Sequence, residues 1–589
     1  EFEFGTALCS TKFALQGIMK MFYSGKFIGD VRSAQNIKLA ELAQGLCSTA
    51  QLARIESGVR SAEKLLFDSL YERLGKNTER FTAYLDCDEY ERQLARIRIC
   101  CCIDEGRYSE AKEQIAAYRK TTKNNIHMQY LCLAECELMQ KTGSSVSACK
   151  DKLMEGIRCT YPEFDIDNIA GYYLSRLEML LVQQYVNCIE QSGQKDRAGK
   201  LYGDILDCLD SGRYEQSERE RLYGYVGYRL MKYYIDYGQY NRALEVGEKT
   251  YMCIAGREKW TFMTDLIEGI AMCREALGED VSDTRKRLSV LHRMNRRFDV
   301  GAAEDYFPRY SEEYAVNVNA VIRKRRIMNN MTQEELADGI CDVTTISRLE
   351  NNRHALSDEL RIKLLERLQL PCDKYSLCTK DTFDDGLSQK LKKISYALKR
   401  SEFARLTPMP DIPETEALDE ALRQAEVLRK NRDGVLVFEN EWGIIDDLVF
   451  YRESRGDCDR SVIYGSVVKT SYINPMPYDC EIASIIRAMQ EGELLREIGR
   501  FKLAGEKFME AIKLSVKLYE AEWLSRLLYL YVQNVLERGD KNIIFKETEC
   551  VELLEYSYAL ACTYDDRKRI KAIRDLCNKY NLRDVSLDY

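Results

Sequence analysis

The chain has 589 residues, 45% hydrophobic and 31% charged, with a net charge of −8 and eight prolines; it is long enough for several domains with large cores, and the composition is that of a soluble, largely helical protein. No stretch of about eighteen apolar residues offers a membrane span, and the acidic balance gives no global attraction to nucleic acid, so any DNA contact has to be carried by local basic patches such as Arg323 to Arg326. The 22 cysteines, in the run Cys100-Cys101-Cys102 and singly at positions such as Cys188 and Cys253, lack the spacing of a disulfide framework and read as small buried hydrophobes in a reducing cytoplasm.

Residues 1–24 read as an N-terminal extension ahead of a native start expected near Met19 or Met21; the opening lacks the basic and apolar regions of a secretion signal. Residues 25–80 carry a set that returns later in the chain. Leu42, Ala43, Gly45, Cys47, Arg54 and Glu56 recur as Leu336, Ala337, Gly339, Cys341, Arg348 and Glu350, all 294 positions on, and Arg32 recurs as Arg326 at the same spacing. Two related heads are therefore expected. They differ in detail: Lys38 stands where the later head has Thr332, and Ser48 and Gln51 stand where it has Asp342 and Thr345. The basic run of the later head is missing, so the first should be the weaker or differently specific reader.

Over residues 81–300 helix pairs recur with a turn residue between them, the periodicity of an α-solenoid. Each clear unit has a Gly and, five residues on, an Ala: Gly106 and Ala111, Gly193 and Ala198, Gly238 and Ala243. The Gly is expected to end the first helix of a pair and the Ala to permit close packing of the second. Poorer units are expected at 123–165 and 260–297. Cys132 and Cys136 lie i,i+4 on one helix, but with no second cysteine pair and three scattered histidines no metal site is assigned.

Residues 301–317 read as a connector, with a seam near Asp299 to Glu313 dividing two halves, and residues 318–372 as the second head. Thr332 with Glu335 makes a capping box for a short helix carrying Leu336 and Ala337. That helix should stop at Gly339, and Asp342 is a plausible N-cap for the next. There Ile346 and Leu349 point inward, leaving Thr344, Thr345, Ser347 and Arg348 outward. A short capped helix, a turn and a second helix with an Arg-bearing outer face is the geometry that enters a DNA major groove. The segment resembles the Xre-type helix-turn-helix, and GICDVTTISRLENN is most similar to the head of the RRNPP peptide-pheromone regulators, which carry tetratricopeptide (TPR) repeats behind it. The resemblance implies that Arg326 pairs with Glu350, and by the repeat Arg32 with Glu56, as structural pairs. It places base-reading positions on Val343, Thr344, Thr345 and Arg348. With Ser347 and Arg323 these form the expected DNA surface of the second head, and Thr49, Ala50, Gln51 and Arg54 that of the first.

Residues 373–589 repeat the solenoid. Gly456 follows Gly193 by 263 positions and Gly499 follows Gly238 by 261, close to the spacing of the heads; Pro408 to Pro413 marks a loop. Counting back from the turn glycines, the inner faces should carry Gln93, Arg96, Gln183, Asn187, Glu190, Tyr225, Tyr228 and Lys232, then Asp446, Phe450, Met489, Glu493, Tyr529 and Gln533. Of these, Gln183, Asn187, Glu190, Tyr225, Tyr228, Lys232, Tyr529 and Gln533 are the candidate contacts for an extended peptide, whose backbone needs side-chain amides as partners. The resemblance implies short signalling peptides in such a groove. No phosphate-binding Gly loop and no nucleophile with a base stands out, so no enzyme activity or cofactor is read. The expectation is an all-α, cytoplasmic protein with two helix-turn-helix heads and TPR-like α-solenoids arranged as a tandem pseudo-dimer. It would act as a transcriptional regulator on a double-stranded DNA operator, controlled by a short peptide pheromone. The alternative is a TPR scaffold that sequesters a protein partner and keeps vestigial heads. Homodimerisation is left open, and no membrane partner is expected.

Overall fold

A computed structural model of the chain describes residues 24–78, 81–255, 262–301, 306–310, 315–353, 357–370, 378–379, 481–538, 543–582 and 585. The N-terminal extension up to residue 23, the Pro408 to Pro413 loop, the Gly456 step and the positions Asp446 and Phe450 lie outside these residues. Among the described residues the fold is all-α save for three short strands. No helix among the described residues is long and apolar enough to cross a membrane.

The chain divides into two compact units, Glu1–Tyr233 with Phe307–Thr382, and Tyr234–Tyr306 with Phe383–Tyr589. One crossing between the units, Tyr306 to Phe307, falls within the expected seam near Asp299 to Glu313, but each unit draws residues from both sides of it. The second head belongs to the same unit as the first, and strand pairing gives the reason. Strand β1 (Phe81–Leu85), just after the first head, runs parallel to β2 (Ala315–Asn317), just before the second, with Ala83 opposite Ala315 and Leu85 opposite Asn317. On its other edge β1 runs antiparallel to β3 (Cys378–Thr379), with Phe81 opposite Thr379. The order is β2-β1-β3, and the buried Leu85 and Ala315 pack with Tyr90. The connector is tied into this unit too, since Arg309 donates from Nε to both Glu137 carboxylate oxygens, at 2.7 and 2.8 Å.

In the first unit the first head comprises α1 (Ser24–Ala34), α2 (Leu39–Ala43), α3 (Thr49–Glu56) and α4 (Lys64–Arg73). Helical hairpins follow: α5 (Cys87–Asp104) with α6 (Tyr108–Thr121), α7 (Asn125–Lys141) with α8 (Val146–Arg158), α9 (Arg176–Gln191) with α10 (Lys195–Asp210), then α11 (Gln216–Asp236). Side-chain oxygens cap four of them: Asp86 accepts from the Asp88 and Glu89 amides, Asn124 from Ile126, Ser145 from Ala148, and Ser175 with Glu178 completes a capping box. The Gly-then-Ala step does what the sequence implied. Gly193 ends the α9 turn at φ +83°, a conformation without penalty only for a residue lacking Cβ, and Ala198 is completely buried in α10. Ala111, Ala243 and Ala504 are equally buried.

The second unit holds α12 (Tyr240–Ile254), α13 (Met263–Ala276) and α14 (Ser282–Arg297), and then, once the second head of the first unit has intervened in the chain, further long helices. That head comprises α15 (Val318–Met328), α16 (Gln333–Ala337), α17 (Val343–Glu350) and α18 (Asp358–Arg367). The later helices of the second unit are α19 (Glu481–Glu497), α20 (Phe501–Lys517), α21 (Ala521–Arg538), α22 (Ile543–Thr563) and α23 (Arg567–Tyr580). Within that unit α14 lies along α22 through Arg293 to Glu555 at 2.5 Å and Arg297 to Glu549 at 2.8 Å.

Candidate nucleic-acid interface

The second head is built from local signals. Thr332 Oγ1 accepts the Glu335 amide at 3.1 Å and the Glu335 carboxylate accepts the Thr332 amide at 2.7 Å, closing the capping box of α16. The helix ends before Gly339, at φ +67°. Asp342 holds the N-cap backbone conformation of α17, but its carboxylate accepts no capping bond, a departure from its expected role. Ile346 and Leu349 are fully buried. On the other face Thr344 and Arg348 are exposed, while Val343, Thr345 and Ser347 are half-buried. Arg323 on α15 is exposed as well.

What fixes α17 against α15 is a two-pronged pair. Arg326 Nε lies 2.5 Å from Glu350 Oε1 and Nη2 2.8 Å from Oε2, while Nη1 donates to the Met331 carbonyl at 2.6 Å. Gln333 adds a further bond to Glu350 at 2.8 Å. Burial pushes the Glu350 carboxyl up, but the bonds from Arg326 and Gln333 and the Arg326 charge outweigh it and hold its pKa below the usual carboxylate value.

The first head repeats the three arginine bonds atom for atom, with Leu39 standing where the second head has Gln333. Arg32 Nε and Nη2 reach Glu56 at 2.7 and 2.8 Å, and Nη1 donates to the Ile37 carbonyl at 2.8 Å. Lys38 cannot accept a capping bond, so one half of the capping box remains, the Lys38 amide donating to Glu41 at 3.0 Å. Ser48 caps α3 by accepting the Gln51 amide at 3.1 Å. Thr49, Ala50 and Arg54 are exposed and Gln51 half-buried.

The heads differ in what lies behind the turn. Arg73, at the end of α4, donates to the carbonyls of Leu42 and Gln44 at 3.1 and 2.6 Å and pairs with Glu178 of α9 at 2.5 Å, both side chains fully buried. Its guanidinium also sits 4.5 Å from the Tyr161 ring centre. Arg367, 294 positions on, donates to the Glu335 and Asp338 carbonyls of its own head at 2.9 Å each, the second bond being the counterpart of the one to Gln44, but is exposed. Neither arginine was singled out from the sequence, although their common spacing was there to be found. A Cβ on Gly45 would meet the Thr160 carbonyl oxygen at 2.0 Å; one on Gly339 would meet nothing within 4 Å. The first turn is thus seated on the hairpin behind it.

The residues expected to line a peptide groove are largely spent on helix packing, a correction to their expected place on an open face. Gln183 donates to the Leu222 carbonyl at 3.0 Å, and Asn187 accepts from Arg229 at 3.1 Å. Glu190 pairs with Arg229 at 2.6 Å and accepts from Tyr202 at 2.9 Å. Tyr225 and Tyr228 are buried, as are Gln93, Arg96, Met489 and Glu493. The reason is that neighbouring first helices close over one another's polar side chains. Lys232, Tyr529 and Gln533 stay half-buried. In the second unit a cleft of about 780 Å³ opens between α20, α21 and α22, lined among others by Phe501, Met509, Lys513, Tyr531 and Asn534.

A family model described as helix-turn-helix matches residues 322–375. No curated protein matches the chain. Among solved structures, one described as the crystal structure of Bacillus thuringiensis PlcR in complex with the peptide PapR7 and DNA is similar at 13% identity, covering 44% of this chain and 98% of that one, with a TM-score of 0.24. The likeness at that level is slight.

Proposed function

We propose that the chain is a sequence-specific DNA-binding transcriptional regulator. The observation that carries this is α17: its apolar face is buried, its end is clamped by Arg326 and Glu350, and it presents Thr344 and Arg348 to solvent. Val343, Thr345 and Ser347 flank them, with Arg323 placed to neutralise phosphate. Thr49, Ala50, Gln51 and Arg54 are the corresponding positions of the first head. The test is binding of the full chain to the promoter region beside its own gene, against scrambled DNA at fixed salt. Equal affinity for both would overturn the reading.

We further propose that the two heads form a pseudo-two-fold pair produced by duplication of a head-plus-solenoid unit. Support comes from β1 and β3, the strands that follow the heads. Phe81 is opposite Thr379, and Thr379 stands 294 positions after Leu85, the other end of β1. Equivalent segments meeting antiparallel about their own midpoint is what a two-fold relation makes. Control by a short peptide is the remaining part of the reading. The resemblance of the head motivates it, and the cleft of the second unit supports it: there Asn534 donates to the Phe501 carbonyl at 2.9 Å while its Oδ1, buried, has no hydrogen-bond partner. A peptide N–H would satisfy that acceptor. Synthetic peptides that raise the melting temperature of the wild type but not of Asn534→Ala would support this; equal shifts in both would place the site elsewhere.

A further inference from the structure

Helices α7 and α8 form an antiparallel hairpin directly behind the first head, and cysteines face each other across it. Gly156 brings α8 so close to α7 that a Cβ there would lie 2.9 Å from Cys132 Cβ. Cys159 caps the C-terminus of α8, three residues beyond Gly156 and so on the same side of the helix. The Cys132 and Cys159 thiols interact, and that interaction is the first influence on the pKa of each. Cys132 is buried, and Cys159 is half-buried.

The neighbouring thiol favours a thiolate at Cys159. The interaction with Cys132 lowers its pKa most, burial and then the Glu155 charge oppose, and the Lys152 and Arg119 charges assist, leaving it below the ordinary thiol value. Lys152 is held in place by Glu155 at 2.6 Å and Glu135 at 3.5 Å. Burial instead pushes up the thiols of Cys47, Cys100, Cys136, Cys188, Cys208 and Cys273. Cys159 therefore combines a favoured thiolate, partial access and a second thiol facing it across the hairpin.

We propose that Cys159 and Cys132 form a peroxide-responsive dithiol, with Cys159 the attacking and Cys132 the resolving thiol. The Cys159 thiolate attacks one oxygen of hydrogen peroxide, breaking the O–O bond; hydroxide leaves, is protonated to water, and Cys159 becomes a sulfenic acid. The Cys132 sulfur then attacks the Cys159 sulfur and displaces the sulfenic oxygen as a second water, which takes up the Cys132 proton. Two thiols and one hydrogen peroxide give one disulfide and two waters.

The position of the pair gives the oxidation a consequence. The next residue, Thr160, is fully buried, donates to Glu178 at 2.5 Å and accepts from Gln129 at 2.9 Å. Its carbonyl is the group packed against Gly45, and Glu178 is the partner of Arg73, which holds the Leu42 and Gln44 carbonyls. A bond that draws Cys159 onto α7 moves the seat of the first head's turn.

The test uses the full reduced chain, treated with near-stoichiometric hydrogen peroxide, quenched by alkylation and digested for mass spectrometry. The expected product is a linked Cys132–Cys159 peptide that dithiothreitol removes, with Cys159 reacting about tenfold faster than the raised thiols such as Cys47. In Cys132→Ser a dimedone adduct should accumulate on Cys159, and hydrogen exchange at amides 42–46 of the oxidised wild type should rise. Because the wild-type linkage is read directly, a misfolded variant leaves the test intact. A first disulfide between other cysteines, or Cys159 reacting no faster than Cys47, overturns the dithiol; unchanged exchange at 42–46 overturns its coupling to the head.

Discussion

Arg73 and Glu178 form a fully buried, two-pronged pair, Nη2 to Oε1 at 2.5 Å and Nε to Oε2 at 3.1 Å, joining the last helix of the first head to the solenoid behind it. Burial pushes the Glu178 carboxyl up, yet the Arg73 charge and the bonds from Arg73, Thr160 and Ser175 win and hold its pKa below the usual value. Removing one partner leaves the other charge buried, so Glu178→Ala or Arg73→Ala should cost about 3–5 kcal/mol in urea unfolding. A loss under about 1 kcal/mol in both variants would mean that the pair is solvated in solution. With a folded pKa below the unfolded one, the contribution of Glu178 is present above about pH 4.3 and is lost as pH falls through the folded value.

Glu72, four residues into the same buried face from Asp68, behaves in the opposite sense. Burial is the largest influence; the Arg176 charge works against it, the Glu218 and Asp68 carboxylates add to it, and the carboxyl is pushed up to about 8. A proton is then kept on folding that the unfolded chain loses near about pH 4.3. The stability that Glu72 contributes is full below that value and is lost as pH rises through about 8. We expect the urea midpoint of the wild type to fall between about pH 5 and about pH 8 and to level off above that, and Glu72→Gln, which cannot ionise, to flatten the fall. Parallel pH profiles for the two proteins would contradict this.

How much of this was legible in the sequence depends on the reach of each interaction. The capping box at Thr332 and Glu335 is three residues long and could be read directly. Arg326 with Glu350 came through the family pattern, and Arg32 with Glu56 through the constant spacing of the heads. Arg73 and Arg367 escaped because they donate to backbone carbonyls, which leave no residue-type signal. The three strands are two to five residues long, too short for an alternating pattern, and so the joining of both heads into one unit was not foreseen. Gln183 and Asn187 were read as groove residues because helical periodicity tells which face a side chain is on but not whether a neighbouring helix covers that face.

The two turn glycines give a direct comparison of the heads. Gly339→Ala places a Cβ at φ +67° in open space, so it should cost about 1 kcal/mol from backbone strain alone. Gly45→Ala meets the same strain at φ +71° and also a backbone oxygen at 2.0 Å, which the seat on Thr160 cannot yield cheaply; we expect about 3 kcal/mol or more. Equal costs, measured by chemical unfolding of the two variants, would indicate that the first head is not docked as described.

Arg348→Ala should lower specific DNA affinity by about 1–3 kcal/mol, because an outward Arg on this helix is the usual reader of guanine edges. It is exposed, so thermal stability should stay unchanged. Glu350→Ala should do the reverse in order of cause, lowering stability first by leaving Arg326 without its carboxylate. Anisotropy titrations beside melting curves separate the two. An Arg348→Ala protein that binds its operator like wild type would remove α17 from the role of recognition helix.

The last expectation concerns how the operator is laid out. Regulators with one head dimerise to read two half-sites about one helical turn, roughly 34 Å, apart or a multiple of it. If the antiparallel meeting of β1 and β3 relates the two heads of one chain by a pseudo-two-fold, a single chain spans one operator. The half-sites should then be unlike, because Thr49, Ala50 and Gln51 stand where the other head has Val343, Thr344 and Thr345. We expect footprinting to give an imperfect palindrome, and the mass of the complex to correspond to one chain per site. Arg54→Ala should weaken protection in one half and Arg348→Ala in the other. A perfect palindrome bound by two chains, with Arg54→Ala without effect, would leave the first head as a docked structural element and the second as the sole reader.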